Sequence, residues 1–409
     1  MTALPMAGVR VLEVAQYTYT PSAGAVLADW GAEVIKVEHA VTGDAQRGLK
    51  IGTGGVAAGR FQPLMEHPNR GKRSIGLALE HPDARDLLLE LARSCDVFLT
   101  NFLPPARRKL RIEVEDLRAA NPKIIYVRGS AHGQRGPDAD KGGFDGSTFW
   151  SRSGSAMGCT PPDSPKVINQ PAGAYGDSMG GMTIAGGIAA ALFARERTGE
   201  PSVVDVSLLS LGTWATALSV SNALLTGEVP PVAPLSAPNL NPFNPTIGNF
   251  RTADGRWVNL MILQPGRYWA DLCRHLERED LITDERFDSG EKLIANAAAA
   301  GALVAEAIEA KPYAHWIKTF QTLEGQWAPN NNALELGHDP QVRANGYIVS
   351  VVDADGNERE LVANPVQFDE TPPTLTRAPQ LAEHTDTILE ELGRTQEQII
   401  DLKIAGAVT

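Results

Sequence analysis

The chain is poor in the residues that mark several large classes of protein. It has only three cysteines, Cys95, Cys159 and Cys273, far apart and without zinc-ligand or paired-disulfide spacing. A disulfide scaffold and a zinc site are therefore not expected, and reduced, buried thiols are. Basic charge is in deficit: 37 Lys and Arg against 49 Asp and Glu leave a net charge of −12. A surface of that sign repels nucleic acid and anionic lipid, so neither is an expected partner. No uninterrupted apolar run reaches the length that a bilayer requires, and no membrane span is expected. The opening M-T-A-L-P-M-A-G has neither the basic nor the apolar region of a secretory signal, which makes the cytoplasm the expected location. What remains is a chain that is 43% hydrophobic, without repeats or a low-complexity tail. Its length suits roughly two or three domains.

The first part alternates strand and helix patterns. V-R-V-L-E-V (9–14) reads as a buried strand, and P-S-A-G-A-V-L-A-D-W (21–30) as a helix with proline in its first turn, closed by Gly31. E-V-I-K-V-E (33–38) is the next strand. A right-handed crossover makes the two strands parallel. Glu38 ends the second strand as an acidic residue does in dinucleotide-binding folds. The first loop, A-Q-Y-T-Y-T-P, nevertheless lacks G-x-G-x-x-G, so a pyrophosphate cannot approach the helix in the usual way, and NAD or FAD is not expected. Further strands at 73–79, 96–100, 124–128 and 203–206, with helices at 82–94 and up to Ala120, predict a doubly wound parallel α/β sheet. Ligands of such sheets sit beyond the carboxyl ends of the strands. The segments there are 16–20, 39–44, 101–109 and 129–136. Two basic clusters, Asn69-Arg70-Gly71-Lys72-Arg73 and Arg107-Arg108-Lys109, suit a polyanion in that region, although for each cation alone a solvated face is the simpler reading.

The stretch from Gln170 to Thr198 holds a candidate reactive carboxylate. Asp177 and Ser178 are N-cap residue types before an apolar run that ends at Gly199, with Arg195 and Arg197 in the last turn. The spacing predicts a helix from about Ser178 to Thr198. Its glycines and alanines give it almost no bulk, which allows other backbone or a flat ligand to come close. On these residues alone Asp177 is either a helix cap or a reactive carboxylate. Beyond it lie a strand at 203–206, a helix over 207–225, and a Pro-, Asn- and Ser-rich linker at 227–244. A hairpin around Ala253-Asp254-Gly255 and helical patterns near 267–276, 293–310 and 313–323 form a second unit. Trp327-Ala328-Pro329 reads as its exit. A hairpin over 347–366 and two terminal helices close the chain.

In order, G-V-R-V-L-E-V, L-A-D-W-G-A-E-V-I-K-V-E, N-R-G-K-R-S-I, N-F-L-P-P-A, Y-G-D-S-M-G-G, V-V-D-V-S-L-L, F-R-T-A-D-G-R-W-V and L-A-E-H-T-D resemble the class III coenzyme A transferase family, the formyl-CoA and carnitine-CoA transferase relatives. The resemblance spans nearly the whole chain. It implies a Rossmann-like large domain built from 1–227 and 331–409, a smaller α+β domain at 228–330, and an interlocked homodimer. It implies CoA transfer from an acyl-CoA to a carboxylic acid through a covalent intermediate on Asp177, with CoA as substrate and no metal. A helix N-terminus is expected to keep that carboxylate ionised. CoA contacts are implied at Thr18, Tyr19, His39, Lys72, Arg73, Leu77, Leu79, Asn101, Phe102, Leu103, Lys109, Phe144 and Asp145.

The departures are informative. Related acyl-CoA racemases carry histidine in a G-H-D motif, where this chain reads Gly143-Phe144-Asp145. Phenylalanine cannot exchange a proton, which disfavours racemisation. His132 lies nearby in another loop. The glycine loop of oxalate-type enzymes is replaced by P-N-L-N-P-F (238–243). Trp327 is a candidate lining residue or a core residue. An acyl-CoA racemase and a non-catalytic CoA-binding protein stand as the alternatives.

Overall fold

The computed structural model describes residues 4–49, 57–235, 241 and 243–409. Most of the segment that replaces the glycine loop lies outside them. The chain divides into two compact units, Met1–Thr160 with Val167–Pro230 and Pro340–Thr409, and Pro161–Lys166 with Pro231–Asp339.

The first unit is built on a six-stranded parallel sheet. Strand β1 (Arg10–Val14) leads into α1 (Tyr19–Asp29) and β2 (Glu33–Glu38). Then follow α2 (Pro63–Asn69), β3 (Arg73–Gly76), α3 (Pro82–Arg93), β4 (Val97–Thr100), α4 (Pro104–Leu110), α5 (Val114–Ala120) and β5 (Ile125–Ser130). A π-helical segment (Asp145–Arg152) and α6 (Ser155–Cys159) precede the long α7 (Tyr175–Thr198) and β6 (Val203–Ser207). The spatial order is β3-β2-β1-β4-β5-β6. The direction of winding therefore reverses between β1 and β4, and a crevice opens beyond their carboxyl ends.

Both faces of the central strands are covered, which explains why β4 and β5 are buried along most of their length rather than at alternate positions. Leu12, Phe98 and Tyr126 point to one core with Leu87, Leu88, Leu91 and Leu117. Their neighbours Val11, Val97, Leu99, Ile125 and Val127 point to the other, with Leu27, Ile184 and Ile188. By length and hydropathy α7 could cross a membrane. Its buried residues instead join the second core, against α1 and β5.

The helix expected over 207–225 is two helices, α8 (Leu208–Ala215) and α9 (Ala217–Thr226), bent by 72°. At the break, the Thr216 hydroxyl lies 3.0 Å from the Gly212 carbonyl and 3.1 Å from that of Ser153. Such side-chain bonding to backbone carbonyls bends helices.

The second unit holds β7 (Ile247–Arg251), β8 (Trp257–Met261), α10 (Pro265–His275), α11 (Gly290–Ala295), α12 (Ala297–Glu309), α13 (Tyr313–Thr319), β9 (Trp327–Pro329) and α14 (Ala333–His338). Trp327 belongs to a third strand, opposite Leu260 of β8, and packs on Phe320 at 5.5 Å. It sits beside this unit's core of Trp269, Phe287, Trp316 and Phe320. The chain returns to the first unit with α15 (Pro340–Ala344), the hairpin β10 (Ile348–Val352) and β11 (Glu358–Val362), α16 (Thr385–Glu391) and α17 (Gln396–Ile404). Ile388, Leu389 and Ile399 of the last two helices close the first core.

Candidate active site

Asp177 does not cap its helix. The helix begins earlier than expected, at Tyr175, with Ala174 at φ 60° as the cap residue, and Asp177 lies within its first turn. The capping carboxylate comes from elsewhere in the chain. Asp145, buried at the start of the π-helical segment, accepts a hydrogen bond from the Gly176 N–H at 3.1 Å and another from Gln170 Nε2 at 3.0 Å. Ser178 is no cap either: its hydroxyl meets His67 Nε2 at 3.0 Å. Burial and the Arg70 charge push His67 down to about 4, so the ring is neutral.

With its helix capped by Asp145, the Asp177 carboxylate has no hydrogen-bond or ion-pair partner among the described residues. It lines a cavity of about 420 Å³ beyond the strand ends. Desolvation first, and the negative Asp145 second, raise its pKa to about 7. The helix N-terminus was expected to keep this group ionised; loss of solvent and the like charge of Asp145 act in the opposite direction.

Three of the four strand-end segments reach the cavity: Tyr17 and Tyr19 from the first, Asn101, Phe102, Leu103 and Arg107 from the second, and Gly129, Ser130 and Gln134 from the third. Phe144 also lines it, 63% exposed, with its ring edge-on to Tyr17 at 5.4 Å. The first loop is held by a buried network. Tyr17 takes φ 66°, a conformation rare outside glycine. Its N–H donates to Asp44 at 3.0 Å, and Asp44 pairs with Lys36 at 2.8 Å, both side chains out of contact with solvent. Asn101 and Gln16 exchange two hydrogen bonds, at 3.0 and 2.6 Å, tying the first loop to the end of β4. Asn101 is thus both a brace and a lining residue.

Several of the residues implied as CoA contacts do not line this cavity and are held in other ways. Lys72 is fully buried and bonds Glu13 at 2.7 and 2.8 Å and the Pro21 carbonyl at 2.8 Å. Gly24 makes the space, since a Cβ there would lie 2.1 Å from Glu13 Oε2. Arg73 is engaged by Glu33 and Glu391. The Thr18 hydroxyl is buried against Gln46 Oε1 at 2.8 Å. Leu77 and Leu79 belong to the core, with Leu77 bridged to Val408. The His39 ring accepts from the Val41 and Thr42 N–H groups, closing its own turn. Asp145 is the helix cap described above. Lys109 stays exposed, 3.9 Å from Glu80, and is not among the lining residues.

Other lining residues escaped the sequence reading. Tyr17, Gly129, Ser130 and Gln134 sit in the strand-end segments that were singled out, but nothing local distinguishes them. Lys141 brings a cation to the rim, paired with Asp138 at 2.7 Å. His132 lines a neighbouring cavity with Trp214, its Nδ1 3.2 Å from Arg152. Among the described residues no group of three His, Cys, Asp or Glu side chains is placed to hold a metal.

Comparison with known proteins gives this arrangement its context. The sequence model of CoA-transferase family III matches residues 6–385. The chain belongs to that family. It is a class III CoA-transferase. It is 27% identical to the (R)-2-hydroxy-4-methylpentanoate CoA-transferase of Clostridioides difficile over 402 residues, 98% of each chain. It is 30% identical to the cinnamoyl-CoA:phenyllactate CoA-transferase of Clostridium sporogenes over 405 residues, 97% of this chain and 95% of the relative. A CAIB/BAIF family protein from Brucella suis superposes with a TM-score of 0.79 at 28% identity, over 95% of this chain and 99% of that one.

Proposed function

We propose that this transferase moves CoA from an acyl-CoA donor to a carboxylic acid by covalent catalysis at Asp177. The observation that carries the reading is the unpaired Asp177 carboxylate in the strand-end cavity, left free because Asp145 caps the helix in its place. Desolvation makes a carboxylate a better nucleophile, provided that the pH exceeds its pKa. Asp177 attacks the thioester carbonyl and expels CoA thiolate, giving a mixed anhydride. The thiolate attacks the aspartyl carbonyl and releases the donor acid, leaving an aspartyl-CoA thioester. The acceptor carboxylate attacks that thioester and expels thiolate again. The thiolate then takes the acceptor acyl group and restores Asp177. Every thioester is exchanged for another activated acyl group, so the sequence needs neither ATP nor a metal.

CoA is proposed to lie along the lining segments Asn101–Leu103 and Arg107, with Lys109 and Lys141 as cations for its phosphates. The lining is largely apolar around Phe102, Leu103 and Phe144, which favours a less polar acyl group than oxalate. The two C. difficile and C. sporogenes relatives, whose names specify branched and aromatic 2-hydroxy acids, agree with that direction. An interlocked homodimer is part of the proposal. Trp214, Leu218, Leu224 and Leu225 on α8 and α9 are each at least 77% exposed, an apolar surface of the kind a second copy would cover. A cytoplasmic location completes it.

A screen of acyl-CoA donors against carboxylic acids tests the transfer. In deuterated water the products should keep their α-hydrogens. α-Deuteration without CoA exchange would favour the racemase instead.

A further inference from the structure

We propose that the Tyr19 hydroxyl is the hydrogen-bond donor to the oxyanion that forms when Asp177 attacks the thioester, which makes Tyr19 a second catalytic residue. The inference rests on the reading of Asp177 as nucleophile.

Three observations carry it. First, the Tyr19 side chain lines the same cavity as Asp177. Second, it is only 6% exposed, yet its hydroxyl has no hydrogen-bond partner among the described residues. A buried hydroxyl without a partner is costly, and such a group in a native structure calls for a ligand or a function. The Thr20 hydroxyl is likewise unpartnered, but Thr20 does not line the cavity. Third, the ring is clamped. A Cβ on Gly180 would lie 2.1 Å from Tyr19 Cε2, and a Cβ on Gly129 would lie 3.2 Å from Cε1. Glycine at both places lets the ring wedge between α7 and the end of β5. The hydroxyl is therefore fixed before substrate arrives, as an oxyanion donor needs to be. Burial, and secondarily the Asp177 charge, raise the phenol's pKa further, so it is a donor at every working pH.

The step balances without proton transfer. An Asp177 oxygen adds to the thioester carbon, and the carbonyl π pair moves onto its oxygen. Tyr19 donates its O–H to that anion and keeps the proton. When the carbonyl re-forms, the C–S pair leaves with CoA thiolate.

The test compares Tyr19→Phe with the wild type, in full-length protein, using an acyl-CoA that the wild type turns over. Phenylalanine keeps the clamped ring and removes only the hydroxyl. The expected result is a kcat lowered by about 10²-fold, with KM nearly unchanged. The melting temperature should be equal or higher, because an unpartnered buried group has gone. Wild-type kcat in Tyr19→Phe overturns the assignment. So does a variant that melts well below the wild type, since the hydroxyl would then have a partner in the fold. Hydroxylamine trapping separates this proposal from its premise. If the Asp177 hydroxamate forms equally fast in both proteins, Tyr19 is not the donor while Asp177 stands. If it never forms in the wild type, the premise fails.

Discussion

Asp145 caps the helix on which Asp177 sits, with its carboxylate 3.1 Å from the Gly176 N–H, and thereby leaves Asp177 unpaired in the cavity. Two acidic groups at one helix end would ordinarily compete for the same N–H donors. Here one is engaged by the backbone and the other faces the cavity, and the repulsion between them helps to hold the second above the usual carboxylate range.

Activity should depend on pH through Asp177. A protonated carboxyl is not a nucleophile, so kcat/KM for the acyl-CoA should rise with pH and level off above about 7. Asp145→Asn keeps an oxygen to cap the helix and removes the like charge. Its pH–rate limb should move down, yet stay above the ordinary carboxylate range, because desolvation is the larger cause. A limb that does not move would contradict the coupling of the two residues.

The same shift has a consequence for stability. The Asp177 pKa is raised to about 7 in the folded state, against about 3.9 unfolded. The native state therefore holds the proton over a window in which the unfolded state has lost it, and stability falls as pH rises from about 4 to 7. Asp177→Asn cannot ionise. It should melt higher than the wild type at pH 8, and the gap should close as the pH approaches 4. Thermal denaturation across that range checks both the sign and the window.

The glycines of α7 are not equivalent. A Cβ at Gly180 would collide with the Tyr19 ring, whereas one at Gly186 would meet nothing within 4 Å. Gly180→Ala should cost about 1–3 kcal/mol by overpacking and should slow turnover by moving Tyr19. Gly186→Ala should stabilise the protein by up to about 1 kcal/mol through helix propensity and leave turnover alone. Equal effects of the two substitutions on stability would contradict this packing.

The cations of the two basic clusters should separate in the same way. Lys72→Met breaks a buried ion pair and should destabilise the protein by about 3 kcal/mol. Lys109→Ala, at an exposed residue, should leave the melting temperature unchanged and raise KM for acyl-CoA. An unchanged KM would remove Lys109 from the proposed phosphate site.

How far the sequence could be read follows from where each signal resides. The six strands of the sheet were legible because most are short runs rich in Val, Ile and Leu between turns, and their parallel direction follows from the helices between them. The start of α7 was not, because its cap lies on another segment and only folding brings Asp145 to Gly176. The break at Thr216 was hidden in part for a similar reason: its hydroxyl bonds the local Gly212 carbonyl but also the Ser153 carbonyl from a distant turn. Lys72 and Arg73 look like ligand contacts in a linear reading, since a cation shows its charge but not its partner. Their partners, Glu13, Glu33 and Glu391, come from three other elements. Tyr19 was singled out by its loop, but the clamp around its ring is a tertiary fact.

The central claim is the covalent role of Asp177, and mass spectrometry of its peptide after reaction with acyl-CoA and hydroxylamine tests it most directly. The expected result is a hydroxamate on Asp177 that requires acyl-CoA, together with loss of CoA transfer in Asp177→Ala. An unmodified Asp177 peptide during full turnover, or transfer that survives Asp177→Ala, would contradict it.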